Sequence, residues 1–415
     1  MIASIGNAVV WGMNTFLQFH AGLRRSEGGF GLSPLEVGMV FGIATVFGAL
    51  SNVVWGAVSD RTNSRHGKRK PFMYIFPPLV LVTLWMASKV DVLFGISAVF
   101  WTFLVMMVVK GILHNGANVP YSTVIPEVVT PDKRVMASQL SAFVQGIGFA
   151  AGAVVPAFLF EAFDDFGIPF IVAGVIMVIL YLVSSTAVPA SAKPVKVESI
   201  LQSMKATLRN RNFMVFEAAQ FFWTLGLNIV IFVLPFLAQD VIGILDESVF
   251  GWFFVSFLLI AGAFMLGMNF LMQKRRVEKK RTLLISLVIT AISLPFVGFI
   301  GTPAFSFMPI IVQVYLFGSI VFAGLVGIFI FPYAIMMGLI DYSSGSEGAY
   351  NGTNGTVLGF AAIPAGPIGG LLIYLGYPYV GIVGALLFVA SIAVMLRVHV
   401  PEHLFEKRDG GKHEE

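Results

Sequence analysis

The sequence predicts an all-α integral membrane protein of about twelve transmembrane helices, arranged as two six-helix pseudo-repeats. Three observations carry this prediction. Of 415 residues, 57% are hydrophobic and only 12% charged, about half the charged share of a soluble domain. Apolar runs of about 18 to 25 residues, enough to cross ~30 Å of hydrocarbon, recur between short polar breaks. The basic residues fall so unevenly among those breaks that they assign a topology.

Span 1 (2–22) lacks the basic leader of a signal peptide and carries Asn7, Trp11, Asn14, Gln18 and His20, so it reads as a span. Trp11, Asn14 and Gln18 follow at intervals of three and four and share a face. Span 2 (34–58) leads into a basic loop, and span 3 (71–88) contains no Asn, Gln, His, Lys, Asp or Glu. Span 4 (95–122) carries Lys110, His114, Asn118 and Tyr121 at intervals of four, four and three, one stripe down one helix face. Glycines 146, 148 and 152 of span 5 (137–160) suit close helix packing, and span 6 (168–188) is as apolar as span 3.

The longest polar stretch, 190–211, is too short to bury a core and reads as a cytoplasmic linker. Span 7 (212–237) carries Glu217, Gln220 and Trp223, with Glu217 read as a helix-start carboxylate favoured by the helix dipole. Span 8 (249–272) ends in a second basic loop, and spans 9 (282–300) and 12 (379–396) are again apolar. Span 10 (308–339) holds Gln313, and span 11 (350–374) holds Gly366-Pro367-Ile368-Gly369-Gly370. The implied division is 1–189 for the first half, 190–211 for the linker, 212–397 for the second half and 398–415 for the tail.

Nearly all of the 26 basic residues lie in the loops after spans 2, 4, 6 and 8 or in the tail. Only Arg24, Arg25 and Lys89 lie on the other side, with Lys110 inside a span. Both termini are therefore expected in the cytoplasm of a cell-membrane protein. The basic charge is topological and gives no indication of nucleic-acid binding. A weak internal repeat at an offset of about 212 residues aligns Trp11 with Trp223 and Pro120-Tyr121 with Pro332-Tyr333. It predicts a central site between halves, with spans 1, 4, 7 and 10, which hold most of the buried amides, lining it.

Within that site, Trp11, Asn14, Gln18, Lys110, His114, Asn118, Tyr121, Gln220 and Trp223 are the candidate solute-binding residues. Aromatic plates flanked by amides suit sugar-like ligands, whose apolar faces stack while their hydroxyls take hydrogen bonds. Tryptophans at the membrane interface are the alternative reading. Lys110 needs a partner, an anion or deprotonation at mid-membrane, and a structural lysine bonded to carbonyls is its alternative. His114 is either a proton carrier or a satisfied structural histidine.

The stretch Gly56-Ala-Val-Ser-Asp60-Arg61-Thr-Asn-Ser-Arg65-His-Gly67-Lys68-Arg69-Lys70-Pro71-Phe72 resembles the cytoplasmic signature of the major facilitator superfamily. Its form is most similar to the glycoside-pentoside-hexuronide:cation symporters and their sucrose-transporter relatives. Pro120 through Arg134, and Asp341-Tyr342 with Glu347, resemble the same family. The resemblance implies the major facilitator fold and alternating-access transport of a small polar solute. It implies a cytoplasmic gate at Gly56, Asp60, Arg61, Arg65, Gly67, Glu127 and Arg134. The family's cation-binding carboxylates align with Gly48, Asn52 and Asn118, so sodium coupling is not expected. Proton coupling through His114 or Lys110 and uncoupled exchange both stay open.

The rival within transport is a drug or organic-anion efflux antiporter, because the Gly-Pro element of span 11 is similar to an antiporter motif. A non-transporting membrane sensor is the rival of another class. No Walker loop, His-Glu-x-x-His or Gly-x-Ser-x-Gly motif occurs, so no enzyme, cofactor or metal is expected. The expected partners are the solute, a proton and the lipid bilayer, with the chain acting as a monomer.

Overall fold

The computed structural model describes residues 2–62, 64–122, 124, 144, 148, 151–152, 155–156, 158–163, 165–188, 207–274, 278–339 and 347–400. Among them, every regular element is a helix. Among the described residues, spans 2, 3, 4, 6, 7, 9, 10, 11 and 12 are long and apolar enough to cross a membrane. Span 1 is the 21-residue helix Ile2–Gly22, lower in hydropathy because of its amides, and span 8 is the helix Glu247–Lys274. Most of span 5 lies outside the described residues.

Helix ends follow the capping residues. Ser33 and Glu36 form a capping box with Pro34 in the first turn: Glu36 N donates to Ser33 Oγ, and Ser33 N donates to Glu36 Oε2 at 2.8 Å. Asn210 caps span 7, accepting from Phe213 N at 3.1 Å while its amide donates to Leu339 O and Tyr350 Oη. One asparagine thereby ties the basic-loop ends of spans 7, 10 and 11.

Two predicted spans differ from expectation. The helix of span 4 starts at Val99, after a separate short helix Val90–Phe94. Span 11 is two helices, Glu347–Ala362 and Ala365–Leu375, because Pro364 lacks the N–H that would continue the ladder.

In the first half, spans 2 and 3 pack on span 4, and span 6 packs on spans 1 and 3. In the second, span 9 packs on spans 10 and 12, span 7 on spans 11 and 12, and span 8 on span 10. Across the halves, span 2 meets span 11, and span 1 meets spans 7 and 8. The glycines of span 5 do allow close packing: a Cβ at Gly148 or Gly152 would lie 2.6 Å from a carbonyl oxygen of span 1.

Among the described residues, the backbone contacts between halves are tight at one end. A Cβ at Gly38 would lie 2.3 Å from Gly366 O, and one at Gly370 2.6 Å from Pro34 O. Further along, Gly359 finds only the Ala49 Cβ at 3.9 Å, and one turn on Gly355 has nothing within 4 Å. The bundle is closed at the end bearing residues 23–33 and opens toward the end bearing the 62–69 loop.

Candidate functional site

The stripe on span 4 meets span 1 as an antiparallel ladder. Lys110 Nζ donates to Asn14 Oδ1 at 2.5 Å, Asn7 Nδ2 to Asn118 Oδ1 at 2.7 Å, and the hydroxyls of Ser4 and Tyr121 are 3.1 Å apart. Tyr181 of span 6 completes it, donating to Asn7 Oδ1 at 2.7 Å. Lys110 and Tyr121 are buried. Asn118 and Tyr121, expected to face solute, are instead engaged in holding spans 1, 4 and 6 together.

The register of these rungs puts Trp11 level with His114. Trp11 is 66% exposed, although span 1 packs against spans 2, 4, 6, 7 and 8 and, at Gly12, against Gly152. Asn7 and Asn14 of the stripe Asn7, Trp11, Asn14, Gln18 are taken up by spans 4 and 6, and Trp11 is the member of it that stands exposed. Two polar atoms beside it have no partner among the described residues: His114 Nδ1 and Gln18 Oε1. An exposed indole is a surface on which a polyhydroxylated ring can stack, whereas the unmet atoms of His114 and Gln18 are themselves buried.

The second half does not mirror this arrangement. Trp223, aligned with Trp11 by the repeat, is 2% exposed and packs on Phe216 with ring centroids 5.9 Å apart. It belongs to the apolar core with Leu287 and Phe388, which removes it from the solute site. Gln313 is also structural: its side chain bonds Gly301 N, Phe305 O and Met308 O and closes the loop before span 10.

Glu217 corrects a further expectation. It sits about two turns inside the helix Arg211–Leu237, beyond reach of the dipole at the helix start. It is 1% exposed, and Asn354 of span 11 donates to its two oxygens at 3.1 and 3.3 Å and to Gln220 Oε1 at 2.9 Å. Asn354 was missed in the sequence, although an amide within an apolar run was the available signal.

At the closed end the halves are joined by polar bonds. His20 Nδ1 lies 2.9 Å from Glu247 Oε1, and Gln239 Nε2 donates to Phe19 O at 2.5 Å. Beside them Lys89 and Asp165 pair at 2.7 Å, and the Lys89 hydrogen bond, against a smaller opposing effect of burial, holds the Asp165 carboxyl below the usual carboxylate range.

At the open end, the side chains of Asp60 and Arg61 and the whole of Glu127 and Arg134 lie outside the described residues. Gly67 is buried at φ 89, a conformation that favours glycine. Gly56 has only Val119 of its own half nearby, at 3.8 Å from a Cβ built there. Arg65 is exposed. The loop's buried arginine is Arg69, which donates to Ser59 Oγ at 2.5 Å.

Residues 27–394 match the family model described as MFS/sugar transport protein. The isoprimeverose transporter of Lactiplantibacillus pentosus is 24% identical over 212 residues, which cover 48% of this chain and 44% of that protein's length. Among solved structures, the inward-open xylose transporter XylE from E. coli matches with TM-score 0.69 at 14% identity, over 97% of this chain and 96% of that one. The nucleoside transporter NupG matches with TM-score 0.67 at 15% identity, over 96% and 98%.

Proposed function

This chain belongs to the MFS/sugar transport protein family, and we propose that it is a secondary transporter carrying a sugar or glycoside across the plasma membrane by alternating access. The observation that carries the reading is Trp11, 66% exposed on a helix packed against spans 2, 4, 6, 7 and 8, with the buried His114 Nδ1 and Gln18 Oε1 unpartnered among the described residues. Residues 1–189 and 212–397 act as the two moving halves, with 190–211 as linker and 398–415 as tail. The basic loops and both termini face the cytoplasm, so the open cleft faces inward. The loop from Gly56 to Gly67, with Glu127 and Arg134, closes that cleft in the other state. The chain works as a monomer.

The solute-binding residues on this reading are Trp11, Asn14, Gln18, Lys110 and His114, with Gln220 from the second half. The similarity to the isoprimeverose transporter and the aromatic-amide chemistry both support a pentose-containing glycoside. Counterflow of isoprimeverose and D-xylose in reconstituted vesicles tests this. Trp11→Ala is expected to abolish counterflow while leaving the melting temperature within a few degrees. Trp223→Ala should instead lower the melting temperature, by the ~3–5 kcal/mol typical of emptying a buried aromatic site. Unchanged counterflow in folded Trp11→Ala would refute the site, and solute expulsion instead of uptake would favour the efflux reading.

A further inference from the structure

We infer that Glu217 is the proton-binding group of the transport cycle, and that its occupancy controls the position of the part of span 11 that carries Asn354. This rests on the transport reading above but takes the coupling group from the second half, away from His114 and Lys110.

Three features of the site support it. Glu217 is buried, and among the described residues no Lys, Arg or His lies within ion-pair distance; only amides meet it. A buried carboxylate without a counter-ion is costly, and it stays charged only while its donors remain in place. Second, the Asn354 NH2 group stands among the three oxygens of Glu217 and Gln220. A metal cation would need that position, and N–H donors aimed at the oxygens repel it. A proton needs only one oxygen.

Third, the partner residue sits on a hinged element. Span 11 is interrupted at Ile363–Pro364. Its far segment packs backbone to backbone on span 2 at Gly366 and Gly370, whereas the near segment meets span 2 more loosely: a Cβ built at Gly359 would lie 3.9 Å from the Ala49 Cβ, and one at Gly355 would have nothing within 4 Å. The bonds from Asn354 therefore help hold the near segment on span 7 with the cleft open. When Glu217 is exposed to water in the cleft, hydronium gives a proton to one of its oxygens; that oxygen becomes an O–H donor and stops accepting from Asn354, whose remaining acceptors are the second carboxyl oxygen and Gln220 Oε1. The near segment is then held less tightly on span 7 and closes toward span 2 more readily, and the proton returns to water when the carboxyl opens to the other side.

Other titratable groups on the elements packed against span 7 are distant or engaged. His20, Tyr315, Tyr374, Tyr377, Tyr379 and Asp240 lie at the closed end, where His20 bonds Glu247 and Tyr377 donates to Asp240. Tyr350 bonds Asn210 and Arg211 stands at the helix start. The side chains of Tyr333 and Glu347 lie outside the described residues.

The chain has no cysteine, so Gly355→Cys places a single thiol in the cleft of the full-length protein. Its maleimide labelling rate in reconstituted membranes is compared at about pH 6 and about pH 8. The same change in a Glu217→Gln background removes the thiol's own ionisation from the comparison. With Glu217 present, acid should slow labelling roughly tenfold more than in Glu217→Gln, the worth of one hydrogen bond to a charged acceptor. Asn354→Ala, which keeps the carboxyl, should also lose the pH response. Equal pH responses in all three proteins would overturn the proposal, as would sodium chloride reproducing the effect of acid at constant pH. Glu217→Gln should also fail to accumulate isoprimeverose under a pH gradient. A Glu217-dependent labelling response without any isoprimeverose counterflow would sink the sugar reading and leave Glu217 standing. Counterflow without the labelling response would do the reverse.

Discussion

At the scale of single residues, the buried charge at Lys110 is the least replaceable feature of the first half. An ammonium at mid-membrane costs ~2.5–3.5 kcal/mol on insertion scales, and here it has the Asn14 amide oxygen at 2.5 Å. Asn14→Ala should cut uptake roughly tenfold or more, since a hydrogen bond to a charged group is worth ~1.5–3 kcal/mol. It should also lower the melting temperature. Adding Lys110→Met should recover the melting temperature, because no uncompensated charge remains, but not the uptake. Full uptake in the double variant would show that Lys110 serves packing alone. Asp165 gives a pH signature outside the membrane. Its carboxyl is held low by Lys89, so the pair's stabilisation is present above the ordinary carboxylate range and is lost as pH falls through the depressed value. The pH dependence of the melting temperature of Asp165→Asn should therefore be flatter on the acid side than that of the unsubstituted protein. The stripe on span 4 was legible from its spacing, but which of its members bond to span 1 was not, because Asn7 and Asn118 are 111 residues apart.

At the scale of elements, closure depends on backbone contact between spans 2 and 11. Gly38 and Gly366 each leave no room for a Cβ against the other's carbonyl. Gly366→Val should prise this end open and favour the opposite-facing state. A cysteine placed at Leu35 should then be labelled severalfold faster by an impermeant maleimide added outside, and unchanged labelling would argue against this contact as the closing one. The Gly366 motif was visible in the sequence and suggested an antiporter element; its use at the seam with span 2 was not visible. The same holds for Pro364, since membrane helices often tolerate proline when neighbours satisfy the freed carbonyls. Whether a proline kinks or breaks a helix is decided by those neighbours.

At the scale of the whole molecule, the expectation about sodium rests on the absence of carboxylate side chains at Gly48, Asn52 and Asn118. Gly48 O accepts from Asn115 Nδ2 at 2.8 Å and Asn118 Oδ1 from Asn7, and a hard cation prefers several oxygen ligands that include a carboxylate. A sodium gradient at equal pH should therefore drive no accumulation of isoprimeverose, whereas a pH gradient without sodium should. Sodium-driven uptake would overturn this. The number of spans, the alternation of loops and the helices that carry polar groups were all set by the sequence, since hydrophobic length and charge asymmetry are local properties read directly by the bilayer. Tertiary structure alone decided which polar groups remain unmet. Trp11 and Trp223 occupy equivalent places in the repeat, yet one stands exposed and the other fills a core, because burial depends on what the neighbouring helices bring to each face.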